Sequence, residues 1–217
     1  MAVRSGFTLT TVVTAALLLS LTGVASGTDT GGSTDGGGDR GGGRHHGADY
    51  RLRASGEFGP AGADGKAVTY DERLVPHGAG VKVTQRADRD GMSVAVRVRG
   101  VAADHTFGVH VHTGVCTADP DAAGPHYQNV RDPEPPSTDP EYANPRNEVW
   151  LDFTSDDDGT ARSAAWHPWQ FRPGEARSVV LHERATSSEP GEAGMAGERV
   201  ACFTVPFMGG EAASGGA

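Results

Sequence analysis

The 217-residue sequence has no surplus of positive charge, only two cysteines, and no apolar run comfortable as a membrane span. Each shortage excludes something. Nineteen Lys and Arg against 28 Asp and Glu leave a formal charge of −9, a surface that repels nucleic-acid phosphates and anionic membranes, so neither is an expected partner. The most apolar stretch, around Ala15–Leu21, is short and soon followed by Gly and Ser, which argues against a transmembrane segment in the mature protein. No helical period occurs after this stretch, which excludes an α-helical core.

What the first 26 residues do hold is the order Arg4, apolar core, small residues, the pattern of a secretory signal peptide cleaved near Ser26. No cysteine sits near that point, so a lipid anchor is not expected. The protein is therefore read as secreted, extracellular or held in the cell envelope. Residues 27–48 are glycine-dominated with nothing apolar to bury, which predicts a flexible linker. Its His45 and His46 are either metal scavengers or simply solvated. Residues 49–208 suit one domain with one core, and 209–217 read as a frayed tail.

Runs that alternate or are β-branched, bounded by turn residues, fall at 67–75, 80–87, 92–100 and 106–112, then at 147–155, 159–166, 176–185 and 198–205. In the third run Val94, Val96 and Val98 alternate with Ala95, Arg97 and Arg99, the period of a half-buried strand. Eight short strands with tight turns predict an all-β antiparallel sandwich or flattened barrel. Between Thr113 and Arg146 there is no strand signal but seven prolines (Pro120, Pro125, Pro133, Pro135, Pro136, Pro140 and Pro145), which predicts a stiff functional excursion. Cys116 and Cys202 are an even pair in an exported chain. They imply one disulfide closing about 85 residues, with two buried free thiols as the alternative.

Metal chemistry is suggested by the histidines. His110 and His112 are one residue apart in a strand and leave the same sheet face, where two imidazoles can converge on one ion. His182 ends the apolar run SVVL, and His126 follows the turn AAGP. Four imidazoles without a thiolate suit copper or zinc. The segments GVHVH, AGPHY, SVVLHE and GERVAC, in this order, resemble the copper/zinc superoxide dismutase family over residues 65–205.

That resemblance implies an eight-stranded antiparallel Greek-key β-barrel or sandwich, with His110, His112, His126 and His182 as copper ligands. It also implies a Cys116–Cys202 disulfide, and Arg199 as the catalytic arginine beside the copper that draws in superoxide. The implied reaction is disproportionation of superoxide to oxygen and hydrogen peroxide by Cu(II)/Cu(I) cycling, and a homodimer is a family expectation that no residue here marks. The family's zinc ligands have no counterpart, since no histidine lies between His126 and His167, so zinc is not expected at the usual site. Asp132, Asp139 and Glu141 are either ligands to another ion or solvated. His167 is expected to pack against Trp166 or Trp169. Glu183, Glu189 and Glu192 are candidates for a carboxylate that stands in for zinc behind His126. The alternatives to the enzyme are a secreted copper-sequestering protein on the same fold and a metal-free adhesion domain that keeps only the barrel.

Overall fold

A computed structural model describes residues 49–62 and 66–209. The signal peptide and linker expected over 1–48 lie outside the described residues, as does all of the 209–217 tail except Gly209. The described chain forms two packed sheets. The first has the order β1 (Tyr50–Glu57), β4 (Gly80–Asp88), β5 (Gly91–Arg99) and β8 (Ala161–His167), all antiparallel. The second has the order β2 (Gly59–Pro60), β3 (Ala67–Thr69), β10 (Arg199–Thr204), β9 (Ser178–His182), β6 (Thr106–His112) and β7 (Phe153–Thr154). Among the described residues only β2 and β3 pair in parallel. This is the all-β, almost wholly antiparallel sandwich that the sequence predicts. The chain passes from the first sheet to the second after β1, returns for β4 and β5, crosses again for β6 and β7, returns for β8, and leaves for β9 and β10. Among the described residues the only helical turn is the 3-10 segment Pro120–Ala123.

Alternation builds the core. Val81 and Val83 on β4, and Val94, Val96 and Val98 on β5, turn inward against Val109 and Val111 on β6, Val179 and Leu181 on β9, and Phe203 on β10. At about 25 cal/mol per Å² of apolar surface removed from water, this face is the main stabilising term. The same period sends His110, His112, Val180, His182 and Cys202 to the opposite face of the second sheet.

Three runs differ from their sequence expectation. Tyr50–Glu57 is a full strand, although its inward positions end in Ala54 and Gly56, too small to show a hydrophobic period. The 67–75 run stops at Thr69, because Asp71 turns the chain: its carbonyl accepts from the amides of Leu74 and Val75. In the 147–155 run only Phe153–Thr154 is regular strand. Glu148 and Trp150 instead make isolated bridges to Gln128 and His110.

Gln85 is completely buried on the inner face of β4, which would be costly without partners. It exchanges two hydrogen bonds with the Met208 backbone, Nε2 to O at 2.7 Å and N to Oε1 at 2.9 Å, so the end of the domain is clamped onto the first sheet.

His167, the last residue of β8, is 1% exposed and lies against Trp169, with ring centroids 4.2 Å apart. Burial pushes its pKa down to about 4, opposed by a backbone contact from Arg146. A histidine whose folded pKa lies below its unfolded value of about 6.5 stabilises the fold fully above that value. The contribution is lost as pH falls toward 4, up to roughly 3 kcal/mol. Denaturant titrations of the metal-free protein at pH 7, 5.5 and 4 should therefore fall more steeply for wild type than for His167→Phe. Equal slopes would show that His167 titrates normally.

Candidate metal centre

Four histidines meet on the outer face of the second sheet. His110 and His112 are neighbours on β6, and His182 ends β9, where it sits opposite Gly108. His126 arrives from the proline-rich excursion. Its segment is laid along β6 by Tyr127 N–H to Val111 O at 2.8 Å, Thr113 N–H to Pro125 O at 3.0 Å, and a bridge between His112 and His126. One ring nitrogen from each histidine lies within 4.8 Å of the others. His110 and His112 are fully buried, and His182 nearly so.

Their outer partners decide which nitrogen faces inward, because a carbonyl or carboxylate can only accept. His112 Nδ1 lies 2.9 Å from Gly124 O and His182 Nδ1 3.2 Å from Gly197 O, so both Nδ1 atoms carry hydrogen. His126 Nδ1 donates to Glu148 Oε2 at 2.7 Å. The Thr186 hydroxyl gives its hydrogen to Asp152 Oδ1 at 2.8 Å, so it accepts from His110 Nε2 at 2.7 Å. What remains is a lone pair on His110 Nδ1 and on Nε2 of His112, His126 and His182. His110 Nδ1 is buried with no partner. His112 Nε2 and His182 Nε2 face each other at 3.3 Å, lone pair to lone pair when both rings are neutral. Four converging lone pairs are unfavourable until a cation fills the space, so these residues fit a metal ion.

Three of the rings, His110, His112 and His182, are held neutral. Burial, then the neighbouring His126 and His182, push His110 well below its usual range. His112 is lowered by burial and then by His126 and His182, and His182 falls to about 4 through burial followed by His126. Neutral imidazole is the form that binds metal.

Behind the rings stand two carboxylates that the sequence reading did not single out. Glu148 is 1% exposed and accepts three hydrogen bonds: from His126, from Trp150 Nε1 at 2.7 Å and from Gln128 Nε2 at 2.9 Å. Asp152 accepts from the amides of Val109 (3.0 Å) and Thr186 (2.8 Å) as well as the Thr186 hydroxyl. The period-two spacing of 148, 150 and 152 in a strand-like run is the signal that points to them. Glu183 is half-exposed beside Arg184, while Glu189 and Glu192 are exposed; none bonds to His126. Asp132 and Asp139 cap turns through Glu134 N and Glu141 N, and neither they nor Glu141 joins the histidine cluster.

Thr186 belongs to the segment between β9 and β10, which packs directly on β6. A Cβ at Gly108 would lie 2.5 Å from Ala196 Cβ and 2.6 Å from Arg184 O, so only glycine lets the segment approach closely enough to reach His110.

Arg199 lies across from His182 in the β9–β10 pairing. Its guanidinium donates to Pro120 O and Gly124 O, both at 2.7 Å, and shares the latter carbonyl with His112. It makes no ion pair with Glu183 or Glu198 among the described residues. Its charge also lowers His112 and His182, as expected of a cation beside them. Cys116 and Cys202 form a disulfide, with Cα atoms 5.6 Å apart, that ties the start of the excursion to β10. The carbonyls that hold Arg199 and His112 are therefore carried on a pinned segment.

The family model described as copper/zinc superoxide dismutase (SODC) matches residues 78–205. The chain belongs to the copper/zinc superoxide dismutase family. Membership implies a metal cofactor, and the family acts on superoxide. Solved structures with similarity to this superoxide dismutase-family chain include a double mutant of an SOD-like protein from Bacillus subtilis, 17% identical, covering 64% of this chain and 96% of that one with a TM-score of 0.46. A single mutant of an SOD-like protein from Bacillus subtilis is 14% identical over 64% and 97%, TM-score 0.44. The Cu/Zn superoxide dismutase from Brucella abortus is 17% identical over 71% and 99%, TM-score 0.46. No curated protein matches.

Proposed function

We propose that this chain is an exported, copper-dependent superoxide dismutase that works without the family's zinc site. The observation that carries the reading is the set of four lone pairs, each fixed by an acceptor behind its ring, converging beside a guanidinium. His110, His112, His126 and His182 would hold the metal. All-nitrogen donors in a dry site favour copper on intrinsic affinity. The position where a second metal would reach His126 is its Nδ1, and Glu148 takes that hydrogen instead.

Bound copper supplies the one-electron chemistry, so that two superoxide ions and two protons become one oxygen and one hydrogen peroxide. The chain's own residues bind, orient and keep protons in place. Arg199, held by two carbonyls, presents a fixed positive charge that draws a small anion toward the histidines and orients it. On a protein of charge −9 that local field matters more than it would on a neutral one. Glu148 keeps the Nδ1 proton on His126, and Asp152 with Thr186 keeps the Nε2 proton on His110, so no ring can turn its lone pair away. Export is supported by the order of the first 26 residues and by the disulfide, which persists in oxidising compartments.

Full burial of His110 and His112 also supports a second reading, a copper-sequestering protein on the same fold with little turnover. Metal analysis after loading with copper and zinc, with dismutation assayed on the same sample, separates the two. The expected result is about one copper per chain and little zinc. His112→Ala should lose both copper and activity, and Arg199→Ala should keep copper while activity falls on the order of tenfold or more. Tight copper without activity would favour the sequestering protein, and no copper would exclude both.

A further inference from the structure

The outer face of the first sheet carries a cation array that the net charge conceals. Register places Ser55, Lys82, Arg97 and Arg162 side by side across all four strands, with Arg53, Thr84, Ala95 and Ala164 in the next row. A third row holds Arg51, Arg86, Ser93 and Trp166. Arg99 lies beyond the first row and pairs with Glu57 at 3.2 Å. The other six cations make no ion pair among the described residues. Glu57 and Asp88 are the only acids on these four strands, one at each end, so seven cations against two acids leave this face at +5 on a chain of charge −9.

Cross-strand neighbours lie about 5 Å apart, and like charges directly opposite each other destabilise a sheet. Here Lys82, Arg97 and Arg162 are three in succession, and Arg51 faces Arg86. Protection of exposed strand edges would explain cations on β1 or β8, but Lys82, Arg86 and Arg97 lie on the two central strands. The array therefore calls for an external anion. Residues 27–48 cannot supply it, since three Asp are offset by two Arg, and a second copy would present the same positive face.

Two shallow depressions of about 540 and 500 Å³ adjoin on this face and share Lys82 and Arg97. Their floors are small: Ser55, Gly56 and Gly80 in one, Thr84, Ala95 and Ala164 in the other. Trp166, 62% exposed, stands in the adjoining row. We infer that this face binds an acidic polysaccharide, with Lys82, Arg97 and Arg162 pairing its carboxylates and Trp166 packing on a sugar ring. Guanidinium forks match planar carboxylates, and small floor residues, two of them (Ser55 and Thr84) hydroxylated, let an extended chain lie close to the strands. A membrane surface would call for several exposed apolar side chains, and this face offers one at its corner. Single-stranded nucleic acid would call for repeated aromatic platforms along the track. The face belongs to the opposite layer from the four histidines, so its occupancy leaves the metal site open.

The test is binding of the full chain to immobilised polygalacturonate at about 50 mM salt, read alongside anionic phosphatidylglycerol vesicles and single-stranded DNA. The expected result is salt-sensitive retention on polygalacturonate. Retention should weaken at least tenfold in the triple variant Lys82→Gln, Arg97→Gln, Arg162→Gln, and stay unchanged in Arg73→Gln, which alters an exposed cation elsewhere. Thermal unfolding of the triple variant should be no lower than wild type, because like-charge neighbours are removed, so lost binding is not lost folding. Absence of retention, equal retention by the triple variant, or stronger binding to vesicles or DNA than to polygalacturonate would each overturn the inference. Copper content and dismutation should be unaffected by the triple substitution, so this inference and the metal-site reading fail separately.

Discussion

Glu148→Gln should lower copper affinity by roughly 10- to 100-fold and destabilise the metal-free protein by about 1–3 kcal/mol. The carboxylate uses both oxygens as acceptors for three donors, His126 Nδ1, Trp150 Nε1 and Gln128 Nε2, and it is buried. An amide of the same shape turns one oxygen into a donor, which then faces another donor. Whichever way the amide is placed, at least one of the three is left unsatisfied: Gln128 Nε2 if the NH2 takes the place of Oε1, or His126 Nδ1 and Trp150 Nε1 together if it takes the place of Oε2. If the amide turns its NH2 toward His126, the ring is driven to the tautomer whose lone pair points away from the other histidines. Copper affinity by chelator competition, with denaturant unfolding of the metal-free form, checks both effects. Wild-type values for both would mean that Glu148 does not set the orientation of His126.

Cys116→Ser with Cys202→Ser is expected to destabilise the domain by about 4–5 kcal/mol, through the entropy that an 86-residue separation regains when unfolded. For a domain of this size that corresponds to a fall in Tm of roughly 10–15 °C. Activity should fall further than folding alone explains. The bridge anchors the segment whose Pro120 and Gly124 carbonyls hold Arg199 and whose Gly124 carbonyl also fixes His112. Scanning calorimetry of the double variant against reduced wild type checks the first effect, since the two should agree. Dismutation at a temperature where both are folded checks the second. Unchanged Tm on reduction would remove the bridge from the stability of this fold.

Much of the candidate site was legible because its members announce themselves locally. His110 and His112 share a face by strand period alone, and His182 stands out as an imidazole ending an apolar run. Glu148 and Asp152 were harder to see. They lie in a run that reads as a continuous strand, and their function comes from partners 22 and 34 residues away, His126 and Thr186. Glu183, Glu189 and Glu192, the carboxylates expected behind His126, are left in solvent by the fold. The β1 strand escaped for a different reason, since Ala54 and Gly56 at inward positions carry too little hydrophobic contrast.

By itself the sequence determined the all-β class, the alternation that divides core from surface, the even count of two cysteines and the order of the histidine motifs. These are properties of neighbouring residues or of counts. Only the tertiary structure decided which nitrogen of each ring faces inward, which carboxylates stand behind them, and that seven cations scattered from Arg51 to Arg162 share one face. Those features depend on the register between strands far apart in the chain, and register is set by how whole sheets bury their apolar sides, which no local pattern contains.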